Sequence, residues 1–416
     1  MQNDSLNIVI TGIGVLAPNG IGRAEFWDAL ENGRSGIRLL DRFDPLDLPC
    51  RIAGQVWDFD PHQYLSKANV KRWHRVVHQS VAATKLAMED AQFDDAGYDL
   101  ERVAVAIGSS VSDRDEEYDQ IRVAIAEHGW SGIEQFSSST NSAHASTANV
   151  CAQYKFRGPA ITIGSGCATG LDTIAWGTNQ IRNGHADVAI VGASENPVTY
   201  PVMCCAQAIG ILSQNNDEPD KAMRPFDHDG DGLVLSEAAV VLVLERASTA
   251  RKRNAPIFAE IAGGGAASEG GNALLLERSG EAVSRAVLGA VRNAGMNPQD
   301  VDCIQAHGAG LSTYDKAEVQ AYRTAFGAHA TRIPISAVKS MTGQPYSVGG
   351  LLGVAGGCMS LTTGIIPPTI NFTSPAEGCD LDFVPNEARL NAPSNVLVTA
   401  MSFGGTHSSL MLRKVA

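Results

Sequence analysis

Short continuous apolar runs bounded by turn residues recur along the whole chain, and between most of them lie segments with apolar positions at helical spacing. The runs over Asn7–Thr11, Val103–Gly108, Ala160–Ile163, Ala186–Val191 and Ala239–Leu244 predict five strands in the first half, mostly with both faces covered. Phe258–Ala262, Val301–Gln305, Ile333–Val338, Val396–Ala400 and Leu410–Leu412 predict a second five. Strands alternating with helices imply an α/β fold. The polar, basic, Pro-terminated stretch Arg246–Pro256 predicts a junction, dividing the chain into residues 1–250 and 251–416.

The two halves echo each other. Ile161-Thr-Ile-Gly-Ser-Gly-Cys167 predicts strand, small-residue turn and helix, and Ile335-Ser-Ala-Val-Lys-Ser-Met-Thr-Gly343 predicts the same succession. A duplication of this kind implies helices sandwiched between two sheets, five layers in all. Ser109 to Gly158, rich in Ser, Thr and Asn, predicts an insertion with its own short helices over a site or a partner.

Composition narrows the class. With 416 residues, 44% apolar and 19% charged, the chain has enough material for a large core without disulfides. Its 42 glycines suggest tight backbone turns near ligands. Eight scattered cysteines form no C-x-x-C and have no zinc-type histidine spacing, which predicts a reduced, cytoplasmic protein. Met1 to Ile8 starts polar and runs into a strand, and no apolar stretch reaches spanning length, so no membrane segment is expected. A net charge of −13 argues against a nucleic-acid partner.

Candidate chemistry gathers at predicted strand ends. Cys167 follows a strand across Gly164-Ser165-Gly166 and opens a helix, where the positive end of the dipole favours a thiolate and neighbouring N–H groups could hold an oxyanion. A merely packed thiol is the bland alternative for a lone cysteine. His307, between Ala306 and Gly308 at the end of Val301–Gln305, supplies a second reactive group, and Lys339 follows Ile333–Val338. Glu318, eleven residues after His307, is a candidate buried partner for that lysine. Asp227, Asp229, Asp231 and Gly232 imitate the opening of a calcium loop, but the twelfth position is Ala238 and a strand follows, so no metal is predicted.

These residues sit in a wider set of motifs. ITGIGVLAPNG at Ile10–Gly20, GSGCATG around Cys167, RPFDHDGDG from Arg224, AHG at His307, DKAE at Asp315–Glu318, KSMTG at Lys339–Gly343, PPTINF at Pro367–Phe372, GCDLDFVPNEAR at Gly378–Arg389 and FGGT at Phe403–Thr406 occur in that order. The chain thereby resembles, from end to end, the β-ketoacyl-acyl-carrier-protein synthases of type II fatty-acid and polyketide synthesis. The resemblance implies a thiolase-like αβαβα fold and a dimer, homomeric or heteromeric. It also implies acyl transfer from the phosphopantetheine of an acyl carrier protein, with no bound cofactor. It gives Cys167 the role of nucleophile, His307 that of first imidazole, Lys339 and Glu318 that of supporting pair, and Phe403 that of aromatic gate.

The family's second imidazole is absent: its KSMTGH is here Lys-Ser-Met-Thr-Gly-Gln344, and an amide donates hydrogen bonds without carrying a proton. Ala309 and Leu311 stand where the family has threonines, Ser236-Glu-Ala-Ala replaces its GEGA, and Met401-Ser-Phe403 replaces its GFGG hinge. The segment Gln344–Gly350 is similar to chain-length factors, the non-condensing partner subunits, which lack the nucleophilic cysteine kept here. Lys67, Lys71 and Arg72, in the stretch SKANVKRWHR, lie where family members carry basic residues that dock the acidic carrier.

Overall fold

The computed structural model describes residues 7–415 except 46, 94–96, 113 and 273–275. Most of the segment Met1 to Ile8 therefore lies outside the described residues. Ten strands carry the core: β1 (Ile8–Ala17), β2 (Val103–Gly108), β3 (Ala160–Ile161), β4 (Val188–Glu195), β5 (Ala238–Arg246), β6 (Ala259–Ser268), β7 (Cys303–Gln305), β8 (Ile335–Ser336), β9 (Asn395–Met401) and β10 (Thr406–Arg413). Their order in one mixed sheet is β8-β7-β9-β10-β6-β1-β5-β4-β2-β3, with Gly20–Ile21 as a short extra strand on β1.

That order traces one path twice. From the centre outwards each half runs first, fifth, fourth, second, third strand. In each half the second strand pairs in parallel with the third and fourth, while the fourth–fifth and fifth–first pairs are antiparallel. The halves meet where β1 pairs with β6 at Val9↔Glu260 and Ile10↔Ala259. Between β5 and β6 the stretch Arg246–Pro256 holds a short helix, Ala247–Lys252.

Period-2 alternation along the strands generates the layers. On β5, Ala238, Val240, Leu242 and Leu244 face a central cluster that includes Leu171, Ile174 and Leu351. Its alternate residues Ala239, Val241 and Val243 face Val76, Val77 and Ala83 of helix Arg75–Asp90. On β9, Val396, Val398 and Ala400 point to the same centre, whereas Leu397 and Met401 pack with Val283 and Val287 of helix Glu281–Asn293. Helices Thr169–Arg182 and Gly349–Thr363 thus form a middle layer between the two half-sheets, with further helices outside. The second of these is buried from Gly349 to Leu361, which is why its sequence is apolar all round. Each fully buried leucine such as Leu242 contributes about 1.5–3 kcal/mol through removal from water.

Several predicted strand bounds need correction: Ile333–Val338 is strand only over Ile335–Ser336, and Val301–Gln305 only over Cys303–Gln305. The predicted buried strand Ala160–Ile163 is only Ala160–Ile161, and it forms an exposed sheet edge. The predicted Asn7–Thr11 and Phe258–Ala262 stop short, because β1 and β6 continue through glycines to Ala17 and Ser268. The insertion contains helices Arg114–His128, Ser137–Thr140 and Ala145–Tyr154. No helix among the described residues is long and apolar enough to cross a membrane.

Candidate active site

Cys167 lies in a single 3-10 turn, Gly166–Ala168, that leads into helix Thr169–Arg182. Gly166 has φ +65°, and a Cβ there would stand 2.9 Å from Cβ of Ser402, so the turn needs glycine both for its backbone angle and for its closeness to the neighbouring loop. The Ser402 hydroxyl accepts from the Ala168 N–H at 2.8 Å and donates to the Ser165 carbonyl at 2.8 Å, tying the loop after β9 to the cysteine turn. The N–H groups of Cys167 and Phe403 both favour negative charge on the sulfur.

The thiolate expected from the helix dipole is not the resting state. Burial pushes the Cys167 thiol up to about 11, although Lys339 pulls the other way. With the side chain 3% exposed, desolvation outweighs the pull of the lysine and the N–H groups.

His307, just past β7, is buried. Its Nδ1 lies 2.9 Å from Lys339 Nζ and accepts from the Met401 N–H at 3.3 Å. Burial first, and then the positive Lys339, hold the imidazole well below its usual range, so it is neutral. A neutral ring whose Nδ1 accepts carries its proton on Nε2. Lys339 also donates to the His307 carbonyl. Burial lowers its ammonium to about 8, with Cys167 and Glu318 acting against the shift.

Glu318 acts on the charge of Lys339 from a distance and also holds the neighbouring backbone. No ion pair among the described residues joins it to Lys339. Its carboxylate instead accepts from the His307 N–H at 2.6 Å, the Gly308 N–H at 2.9 Å and the Tyr322 hydroxyl at 2.6 Å, and so braces the backbone that presents the imidazole. Burial raises its pKa, and these three donors, together with the positive Lys339, act against that rise. Asp315, one helical turn earlier, accepts from the N–H groups of Phe226 and Ala309 at 2.8 and 3.0 Å.

Gln344 is fixed through its backbone, which donates to Val234 at 2.8 Å. Gln344, with Cys167, His307, Phe403, Tyr314 and Met401, lines a narrow cleft too tight to admit a water-sized sphere. The Gln344 Oε1 finds no hydrogen-bond partner among the described residues. On the other side of Phe403, a cavity of about 790 Å³ also reaches Cys167 and is walled by residues that include Val202, Ala206, Ile211 and Tyr346. Phe403 borders both spaces, is 39% exposed, and leans on Tyr314 at a ring separation of 5.0 Å.

The sequence profile of the β-ketoacyl synthase N-terminal domain matches residues 6–250, and that of the C-terminal domain matches residues 258–373. The chain belongs to the β-ketoacyl synthase family. Among synthases similar to it is the tetracenomycin polyketide synthase ketoacyl synthase alpha subunit of Streptomyces glaucescens, 35% identical over 98% of this chain and 97% of that one. The 3-oxoacyl-[acyl-carrier-protein] synthase 2 of Coxiella burnetii is also 35% identical, over 98% of each chain. Among solved structures, the ishigamide ketosynthase/chain length factor superposes with a TM-score of 0.92 at 27% identity, covering 99% of both chains. A type II ketosynthase bound to its acyl-carrier protein and the hexaketide superposes with a TM-score of 0.90 at 29% identity, covering 98% of this chain and 99% of that one.

In this synthase the expected carrier-binding residues stand apart from the cysteine. Lys67, Lys71 and Arg72 are exposed on helix Lys67–Arg72, and the Arg72 guanidinium lies 4.5 Å from the centre of the Phe136 ring in the insertion. Arg75, from the same basic stretch, turns inward and pairs with buried Glu237 at 2.7 Å, so it adds nothing to that face. The acidic turn after Arg224 is tied up internally: Asp227 accepts from Thr373 and Ser374 N–H groups at 2.6 and 2.9 Å.

Several residues around the synthase's site escaped the sequence reading. Tyr346 sits at φ +38° on the cavity wall, and no local pattern announces it. Glu195, fully buried, gathers the N–H groups of Ser110 and Val111 at 2.7 and 3.0 Å and the Ser109 hydroxyl at 2.9 Å. Its position at the end of an apolar strand was the available signal.

Proposed function

We propose that this synthase takes an acyl group from acyl carrier protein onto Cys167 and extends it by decarboxylative condensation with a malonyl-carrier thioester. The half 1–250 supplies the nucleophile, and the half 251–416 supplies His307, Lys339 and Gln344. The observation that carries the reading is the meeting of Cys167, His307, Gln344 and Phe403 around one narrow cleft, beside a larger apolar cavity. Scattered free cysteines fit a reducing, cytoplasmic setting.

In the loading step the Cys167 sulfur attacks the thioester carbonyl; a C–S bond forms, the bond to the pantetheine sulfur breaks, and the cysteine's proton ends on the departing thiol. The Cys167 and Phe403 N–H groups are the donors for the tetrahedral oxyanion. In the second step the malonyl group loses CO₂, and the electron pair of the broken C–C bond becomes an enolate. Its oxygen receives hydrogen bonds from His307 Nε2–H and the Gln344 amide. The enolate carbon attacks the acyl carbonyl, a C–C bond forms, and Cys167 leaves as a thiolate that takes up a proton. An amide in place of an imidazole supplies a neutral donor, and an ill-placed donor costs roughly 10²–10³ in rate.

A second reading, a chain-length-factor-like partner of another ketosynthase, is favoured by the Gln344–Gly350 segment and by the similarity to the ishigamide ketosynthase/chain length factor. It implies a heterodimer, where the first reading is compatible with either assembly. Intact-protein mass spectrometry after incubation with an acyl carrier separates the two. A mass gain equal to the acyl group, lost in Cys167→Ala, is expected for the enzyme. An unlabelled protein would leave the partner-subunit reading.

A further inference from the structure

The wall of the larger cavity says what kind of acyl chain belongs there. Val111, Pro201, Val202, Ala206 and Ile211 contribute hydrocarbon to the interior wall. Hydrogen-bond donors are scarce. The Ser110 hydroxyl lines the cavity but is already donating to the Gly166 carbonyl at 3.0 Å, and the N–H groups of Ser110 and Val111 are taken by Glu195. Tyr118, 58% exposed, stands at the rim with Ile209 and Cys205, which are also exposed. Among the described lining residues, the Tyr346 phenol is the oxygen-bearing donor left for the interior.

A chain carrying a ketone on every second carbon would bring several carbonyl oxygens into this space. Each oxygen stripped of water without a donor opposes entry, whereas an alkyl or conjugated alkenyl chain loses nothing on leaving water and gains contact with the aliphatic wall. Resting on the acyl-transfer reading above, we infer that the acyl chain held on Cys167 is reduced along its length, saturated or polyenyl, and is not an unreduced polyketone. A place in a reaction sequence follows. The 3-oxo group made in each condensation must be reduced by a hydride donor to an alcohol and lose water to give an alkene, with a second hydride reduction where the chain is saturated, before the product can return to this cysteine as substrate.

The test compares two carriers with equal carbon counts, one loaded with octanoyl and one with 5-oxooctanoyl, which sets a single ketone beyond the thioester. Initial rates of Cys167 acylation on the full chain are read by intact mass. Octanoyl is expected to load at least about tenfold faster, the scale of one buried carbonyl left unpaired. Val202→Thr, which places a hydroxyl in the wall at nearly constant volume, is expected to narrow that ratio. Equal rates for the two probes in the unaltered chain, or faster loading of the ketone, would overturn the inference while leaving acyl transfer intact. Label from neither probe would remove acyl transfer itself, and the inference with it.

Discussion

Lys339 sets the proton inventory of the site. Its Nζ contacts His307 Nδ1, and burial brings its pKa from the ordinary 10.5 to about 8, so the ammonium is present at neutral pH and lost above about 8. That positive charge adds to burial in keeping the imidazole neutral, and it draws the Cys167 thiol down against the effect of burial. Between about pH 8 and 10.5 the unfolded chain binds the lysine proton more tightly, so this group makes stability rise with pH. Between 9 and about 11 the buried cysteine keeps its proton and does the reverse. The two slopes oppose each other where they overlap, which makes activity the better readout. Acylation and condensation rates are expected to decline as pH rises through about 8. Lys339→Met should act at least about tenfold more slowly at neutral pH and lose that alkaline decline. A pH–rate profile of the variant parallel to that of the unaltered protein would show that Lys339 is not the group responsible.

At the scale of elements, glycine explains both what was legible and what was not. The site residues were readable because each follows an apolar run, and runs are local: β3 leads to Cys167, β7 to His307 and β8 to Lys339. The full strands β1 and β6 were not, since glycines interrupt their apolar patterns for a reason that exists only in the folded molecule. A Cβ on Gly14 would lie 1.9 Å from the Ala83 carbonyl oxygen of helix Arg75–Asp90. A Cβ on Gly265 would lie 2.2 Å from the Ala286 carbonyl oxygen of helix Glu281–Asn293. The first strand of each half thus lets its outer helix approach in the same way, a likeness between the halves that helix contacts reveal and sequence similarity does not. The protonation of Cys167 was equally hidden, because burial is set by residues far away in the chain. Gly265→Ala is expected to destabilise by about 1–3 kcal/mol through overpacking. Gly264→Ala, whose nearest neighbour would be Leu410 Cδ1 at 3.9 Å, is expected to stay within about 0.5 kcal/mol of the parent. Urea midpoints of the two variants check the contrast, and similar losses in both would refute it.

Over the whole molecule, a charge of −13 sets the terms on which an acidic carrier can approach. General repulsion is overcome only by a local field of the opposite sign, and helix Lys67–Arg72 offers one: Lys67, Lys71 and Arg72 are exposed, and none is in an ion pair among the described residues. Arg72 is also held in place against Phe136, so its charge projects from a fixed position. The reach of such a field is about 30 Å at 0.01 M salt and about 8 Å at 0.15 M. Lys71→Glu combined with Arg72→Glu is therefore expected to lower kcat/KM for an acyl carrier by about tenfold at low salt and by much less at high salt. Because both residues also line a cavity beside the insertion, damage to local packing has to be told apart from lost attraction. A small acyl thioester that needs no docking makes the distinction: its rate of Cys167 acylation should be unchanged in the double variant. Equal slowing of the small thioester and the carrier would assign these two residues to the architecture of the insertion, and unchanged carrier kinetics at low salt would remove the helix from the docking surface.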